Sequence, residues 1–203
     1  MARAAPGGRY QLSIPDRFIR WSLRKSYKKQ HRLWIDSPCR TRLLTQLDEH
    51  CPEGGWKITD CFLLALGSLY KGAGTWKNWL GIPNKRRLTQ LAIFMDIAAH
   101  IESGFAVMVP PMTVDLYAQD PAFNPVDEDF LRSLNFTVLN SPVAQSIIAP
   151  NSLVFAPFFG DDHEIIGAES SRRPAIYIGL PLEEALTKCR EGQRCGLFGS
   201  ISF

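Results

Sequence analysis

Apolar and polar positions change period several times along the chain, and each change marks an element. Residues 58–66 (ITDCFLLAL) form an apolar run bounded by glycines, the pattern of a strand buried on both faces of a parallel sheet. Further strand patterns recur at 113–118 (TVDLYA), 136–139 (FTVL), 152–157 (SLVFAP) and 175–179 (AIYIG). Between them the period becomes helical. Residues 85–103 carry Leu88, Leu91, Met95 and Ala98 on one stripe, widened by Ile93, Phe94 and Ile97. Helices are also expected at about 126–134, near 142–148 and at 182–191. A final apolar run, 197–203, reads as an edge strand or a docked tail. Regular strand–helix alternation predicts an α/β, Rossmann-like fold: a mainly parallel, five-stranded, doubly wound sheet with helices on both faces.

The N-terminal third follows another pattern. Residues 15–35 interleave Phe18, Trp21, Leu23, Tyr27, Leu33 and Trp34 with basic residues at a spacing only loosely helical. A short helix then starts from Ser37 as N-cap and Pro38 at its first position, with Leu43, Leu44 and Leu47 turned inward. The expected organisation is a flexible tail at 1–12 and one α/β domain at 13–203. Within it, 13–50 form a basic helical segment and 57–180 the Rossmann-like core.

Composition adds little until it is localised. The 203 residues are 45% hydrophobic and 21% charged, as in ordinary globular chains, and no apolar stretch reaches the roughly 20 residues of a membrane span. Five scattered cysteines without a CxxC pair suggest neither a disulfide framework nor a zinc site, and a reduced, cytoplasmic protein is expected. The net charge is only +3, yet residues 17–42 hold nine Lys or Arg against one acid, Asp36. This local excess points to a polyanionic partner, with the tryptophans and Tyr27 available to stack on unpaired bases. Arg20, Arg24, Lys25, Lys28, Lys29 and Arg32 are the candidate contacts, extended by Lys85, Arg86 and Arg87 at the start of the long helix. A solvated amphipathic helix explains the same residues equally well.

Ligands of open α/β sheets bind beyond the carboxyl ends of the strands. Four segments qualify: 67–71, 119–121, 140–141 and 158–164. The last contains Gly160-Asp161-Asp162-His163-Glu164, three carboxylates within four residues. They suit a guanidinium bound by bidentate hydrogen bonds, a metal held with His163, or a general base of raised pKa. Capping of a helix over 163–169 is the bland alternative. Ser68 and Tyr70 follow the first strand; Ser68 is either a nucleophile or substrate-positioning hydroxyl, or simply a turn residue. Asp120 before Pro121 suggests an Asx turn. His31, His50 and His100 sit in helical or basic contexts, and no metal is expected.

Several segments in order, CFLLALGSLY, RRLTQLAIFMDIA, VDLYAQDPAFNPVDEDFLRSLNFTVL and NSLVFAPFF, resemble the sensitivity-to-red-light-reduced-like domain over about 57–165. That family is linked to circadian and haem-related regulation. Where typical members have Pro-His-Cys after the fourth strand, this chain has Pro157-Phe158-Phe159 followed by the acidic turn. The departure resembles a fungal branch, the arginine-containing cyclodipeptide synthases, with Asp161-x-x-Glu164 at their D-x-x-E spacing. The resemblance implies condensation of arginyl-tRNA with a second aminoacyl-tRNA into a diketopiperazine. It casts Asp161, Asp162 and Glu164 as catalytic, Ser68, Tyr70, Asp120 and Phe159 as substrate-binding, and the basic segment as a tRNA surface. It requires neither cofactor nor metal, because the aminoacyl ester is already activated. A regulatory protein without catalysis, and a nucleotide- or SAM-type enzyme, are the competing expectations.

Overall fold

The computed structural model describes residues 14–71, 82–104, 113–157, 173–179 and 201–202. The weakly periodic N-terminal stretch is one continuous helix, α1 (Ile14–Ile35). Its buried stripe is Ile19, Leu23, Gln30 and Trp34, with Tyr27 packed alongside. That stripe is helical in spacing but contains a glutamine, while Phe18, Trp21 and Leu33 lie outside it, exposed. Hydrophobicity alone therefore blurs the period. Gln30 is satisfied by the Thr89 hydroxyl at 3.1 Å. Helix α2 (Pro38–Glu49) begins as expected, with Ser37 Oγ accepting from Cys39 N at 3.1 Å.

The sheet is built from β1 (Asp60–Leu64), β4 (Asp115–Gln119), β5 (Phe136–Val138), β6 (Ser152–Ala156) and β7 (Ile176–Gly179), all parallel. A two-residue strand, β8 (Ile201–Ser202), pairs antiparallel with β7 at the edge. Strands β2 (Tyr70–Lys71) and β3 (Ile82–Pro83) form a separate small ribbon. The order β5-β4-β1-β6-β7-β8 reverses direction between β1 and β6. Five parallel strands wound in this way match the fold expected from the sequence.

Alternation along β1 and β6 explains why both read as continuous apolar runs. Cys61, Leu63, Leu153 and Phe155 enter one core, together with α3 (Lys85–Gly104), α4 (Pro125–Arg132) and α1. Phe62, Leu64, Val154 and Ala156 enter a smaller core on the opposite face, beneath the short helix α5 (Val143–Ile147). Each fully buried Leu or Phe contributes about 1.5–3 kcal/mol relative to exposure.

Helix α3 buries Leu88, Leu91, Phe94, Ile97 and Ile101, whereas Met95 is only partly covered. It also buries Asp96, which accepts from Trp34 Nε1 at 2.9 Å and from Arg40 Nε and Nη2 at 2.8 and 3.1 Å. This carboxylate joins α1, α2 and α3. Among the described residues no helix is long and apolar enough to cross a membrane.

Candidate functional site: the carboxyl edge of the sheet and the cationic face of α1

The reversal of strand order places the natural ligand crevice beyond the carboxyl ends of β1 and β6. The chain leaves β1 through Ala65, whose φ of 53° costs of order 1 kcal/mol for a residue with a side chain. Gly67 follows with φ of 72°. Its conformation favours glycine, and an added Cβ would also displace the end of the Arg87 side chain. Gly67→Ala is expected to destabilise the fold by roughly 2 kcal/mol, read as a lowered urea midpoint with an unchanged slope. An unchanged midpoint would show that Arg87 yields without cost.

The loop beyond Gly67 is held from both neighbouring elements. Asp120 accepts from Gly67 N at 2.5 Å and, in the expected Asx turn, from Ala122 N at 2.7 Å. Arg87 Nη1 donates to Ser68 O at 2.5 Å. Asn124 and Pro125 open α4 with a capping box closed by Asp127. Asn124 Nδ2 donates to Ser68 Oγ at 3.2 Å, and Tyr70 Oη donates to Asn124 Oδ1 at 3.2 Å. Asp127, fully buried, reaches across to accept from Leu69 N at 3.0 Å and from Asn124 N at 3.2 Å.

Burial pushes the Asp127 carboxyl up to about 6, although the Ser68 hydroxyl, the two backbone N–H groups and Arg87 all favour its charge. The Ser68 hydroxyl has one proton, and it lies 3.1 Å from Tyr70 O, so that proton serves either Tyr70 O or Asp127. Ser68, Tyr70 and Asp120 are thus brought together, as parts of one fastened loop. Asn124 and Asp127 are the members that sequence reasoning missed. Their signal was legible as the N-P-x-D start of a helix, but its partner, the loop after β1, was not.

Phe159, Asp161, Asp162 and Glu164 follow Pro157 at the end of β6 and lie outside the described residues, as do the helices expected at 163–169 and 182–191 and the tail at 1–12. Among the described residues no cluster of His, Cys, Asp or Glu is arranged to hold a metal. His100 instead pairs with Asp48 at 2.7 Å.

The basic residues divide into two groups. Arg20 pairs with Asp129 of α4 at 2.8 Å, and Arg87 turns inward to the loop. Arg24, Lys25, Lys28, Lys29, Arg32, Lys85 and Arg86 are exposed. On α1 they share the solvent face with Phe18 and Trp21, which are 50% and 57% exposed with ring centroids 5.6 Å apart. Lys25 Nζ lies 5.4 Å above the Trp21 ring. Between this face and β3 runs an open groove of about 690 Å³, in which Lys25, Lys28, Lys29, Arg32 and Lys85 meet one carboxylate, Asp36.

No curated protein and no solved structure matches the chain significantly. The model of the SRR1 domain matches residues 42–196, most of the 203 residues, beginning inside α2 and leaving α1 with its cationic face upstream of the matched region. The matched stretch includes the parallel sheet, the reversal between β1 and β6 and the fastened loop, and on this ground the chain belongs to the SRR1 domain family.

Proposed function

We propose that this chain is a tRNA-dependent cyclodipeptide synthase that joins arginyl-tRNA and a second aminoacyl-tRNA into an arginine-containing diketopiperazine. The observation that carries this reading is the exposed cation–aromatic face of α1, where Arg24, Lys25, Lys28, Lys29 and Arg32 surround Phe18 and Trp21. Cations neutralise phosphates and aromatic faces receive unpaired bases, so the face suits a charged tRNA better than it suits an acidic protein.

The chemistry falls to the carboxyl edge. The α-amine of one aminoacyl group attacks the ester carbonyl of the other, forming an amide and releasing one tRNA at its terminal hydroxyl. The free amine of the resulting dipeptidyl ester then attacks the remaining ester, closing the six-membered ring and releasing the second tRNA. Each amine loses a proton, and each departing oxygen gains one. Asp120 and Asp127 are engaged by backbone N–H groups. The resemblance to the arginine-containing cyclodipeptide synthases assigns proton transfer and the arginyl guanidinium to Asp161, Asp162 and Glu164, which follow β6 in the chain.

Expression in a bacterial host, followed by mass spectrometry, tests the reading. An arginine-containing diketopiperazine is expected, and Asp161→Ala or Glu164→Ala is expected to lower it roughly tenfold or more. Soluble protein with no such product would favour the second reading, a non-catalytic regulator of the same family. The closure of Ser68, Tyr70, Asp120 and Asp127 upon one another supports that second reading.

A further inference from the structure

We infer that the groove between α1 and β3 seats an unpaired stretch of RNA, the single-stranded 3′ end of an aminoacyl-tRNA under the function proposed above, on which this inference rests. The groove joins α1, which precedes the family match, to Ile82, Pro83 and Lys85, which fall inside it.

Its two parts have different chemistry. The apolar lining, termed the floor, is Leu33 and Ile82, 58% and 56% exposed, with Pro83. The cationic lining, termed the rim, includes Lys25 and Lys29 on α1 and Lys85 at the start of α3. A cation at a helix N-terminus opposes the helix dipole, so folding alone gives Lys85 no electrostatic reason to be there. Duplex RNA hides its base faces and presents phosphates and sugars, which need the rim and not the floor. An unpaired strand offers both surfaces at once, with bases for Leu33 and Ile82 and phosphates for the lysines. Lys25, which lines the groove, also reaches over the Trp21 ring, 57% exposed.

The alternative occupant with matching chemistry is an anionic membrane surface, which also takes exposed aromatics and lysines. A seat lined from two elements, with apolar and cationic side chains together, fits an unpaired strand, and vesicle binding is the outcome that tells the two apart.

The test uses the full chain and three probes: a short single-stranded RNA, the same strand annealed to its complement, and phosphatidylcholine–phosphatidylserine vesicles. Binding is followed by fluorescence anisotropy, or by sedimentation for the vesicles. The single strand is expected to bind about tenfold more tightly than the duplex. Leu33→Ser with Ile82→Ser should remove that preference while leaving the salt slope unchanged. Lys29→Gln with Lys85→Gln should instead reduce the slope for the single strand by about 1.4, two phosphate contacts at roughly 0.7 each. All four side chains contribute to exposed surface, and thermal melting of each variant confirms that the fold persists.

Equal binding of duplex and single strand with indifferent floor variants would overturn the inference, as would binding confined to the vesicles. If whole tRNA still bound in those cases, the proposed synthase would stand and only the groove would fall. If the groove results held but no diketopiperazine formed, the synthase would fall and the groove would stand.

Discussion

Reversing Arg24, Lys25, Lys28 and Lys29 to glutamate is expected to weaken tRNA binding by about 100- to 1000-fold at physiological salt. Each phosphate contact supplies about half to three-quarters of a decade of affinity at that ionic strength, through release of condensed counterions. Four lost contacts give two to three decades, before the added repulsion of four new carboxylates. The fold should survive, because all four residues are exposed on the face of α1 opposite Ile19, Leu23 and Trp34. Filter binding across a salt series measures the effect, and the log–log slope should flatten in parallel. Arg20→Glu makes an internal comparison. Its guanidinium is held by Asp129 at 2.8 Å, so its loss should change stability more than the salt slope. Undiminished tRNA affinity in the fourfold variant would remove α1 from the binding surface and the main support for the proposed function.

Asp127→Ala is expected to cost about 3 kcal/mol of stability. The substitution strands the buried Leu69 N–H and unfastens the start of α4 from the loop after β1. Each unsatisfied buried donor costs roughly 1–3 kcal/mol, and relief of the carboxylate's own burial returns part of that. Asp127→Asn retains an acceptor for Leu69 N and should cost roughly 1 kcal/mol.

The pH dependence has a definite sign. Burial raises the Asp127 carboxyl to about 6, so the folded chain binds this proton more tightly than the unfolded chain does. The stability linked to the proton is complete below the ordinary carboxylate range and is lost as pH rises through about 6. Relative to Asp127→Asn, the native chain should gain roughly 1 kcal/mol between pH 7 and pH 5. Urea titrations of both proteins at the two values measure this, and parallel pH profiles would mean that Asp127 does not titrate in this window.

These two residue groups also show what kind of information each level carried. The strands were legible because a parallel strand is buried on both faces, so β1 and β6 read as unbroken apolar runs. The Ser37-Pro38 cap was legible because it is a local device, complete within a few residues, whereas the equally local Asn124-Pro125 start went unread. Helix α1 was legible in charge and obscured in period. Gln30 stands in its buried stripe, and Phe18, Trp21 and Leu33 stand outside it, for reasons located on α3 and at the surface.

Other assignments required the tertiary structure. Chemistry along the chain makes Arg20, Arg24 and Arg87 equivalent cations. The fold assigns Arg20 to Asp129, turns Arg87 onto Ser68 O and leaves Arg24 in solvent. Ser68 and Asp120 looked like candidates for substrate binding because each follows a strand. Each also has a partner more than fifty positions away, and those contacts make them fasteners of one loop. The sequence by itself determined the α/β alternation, the helix starts and the concentration of charge at 17–42, because each follows from neighbours along the chain. The tertiary structure decided which cations are exposed to a partner, which carboxylates are already engaged, and that α1 and β3 meet to form a groove. Those outcomes depend on which distant side chains arrive at the same place, and no local pattern encodes that.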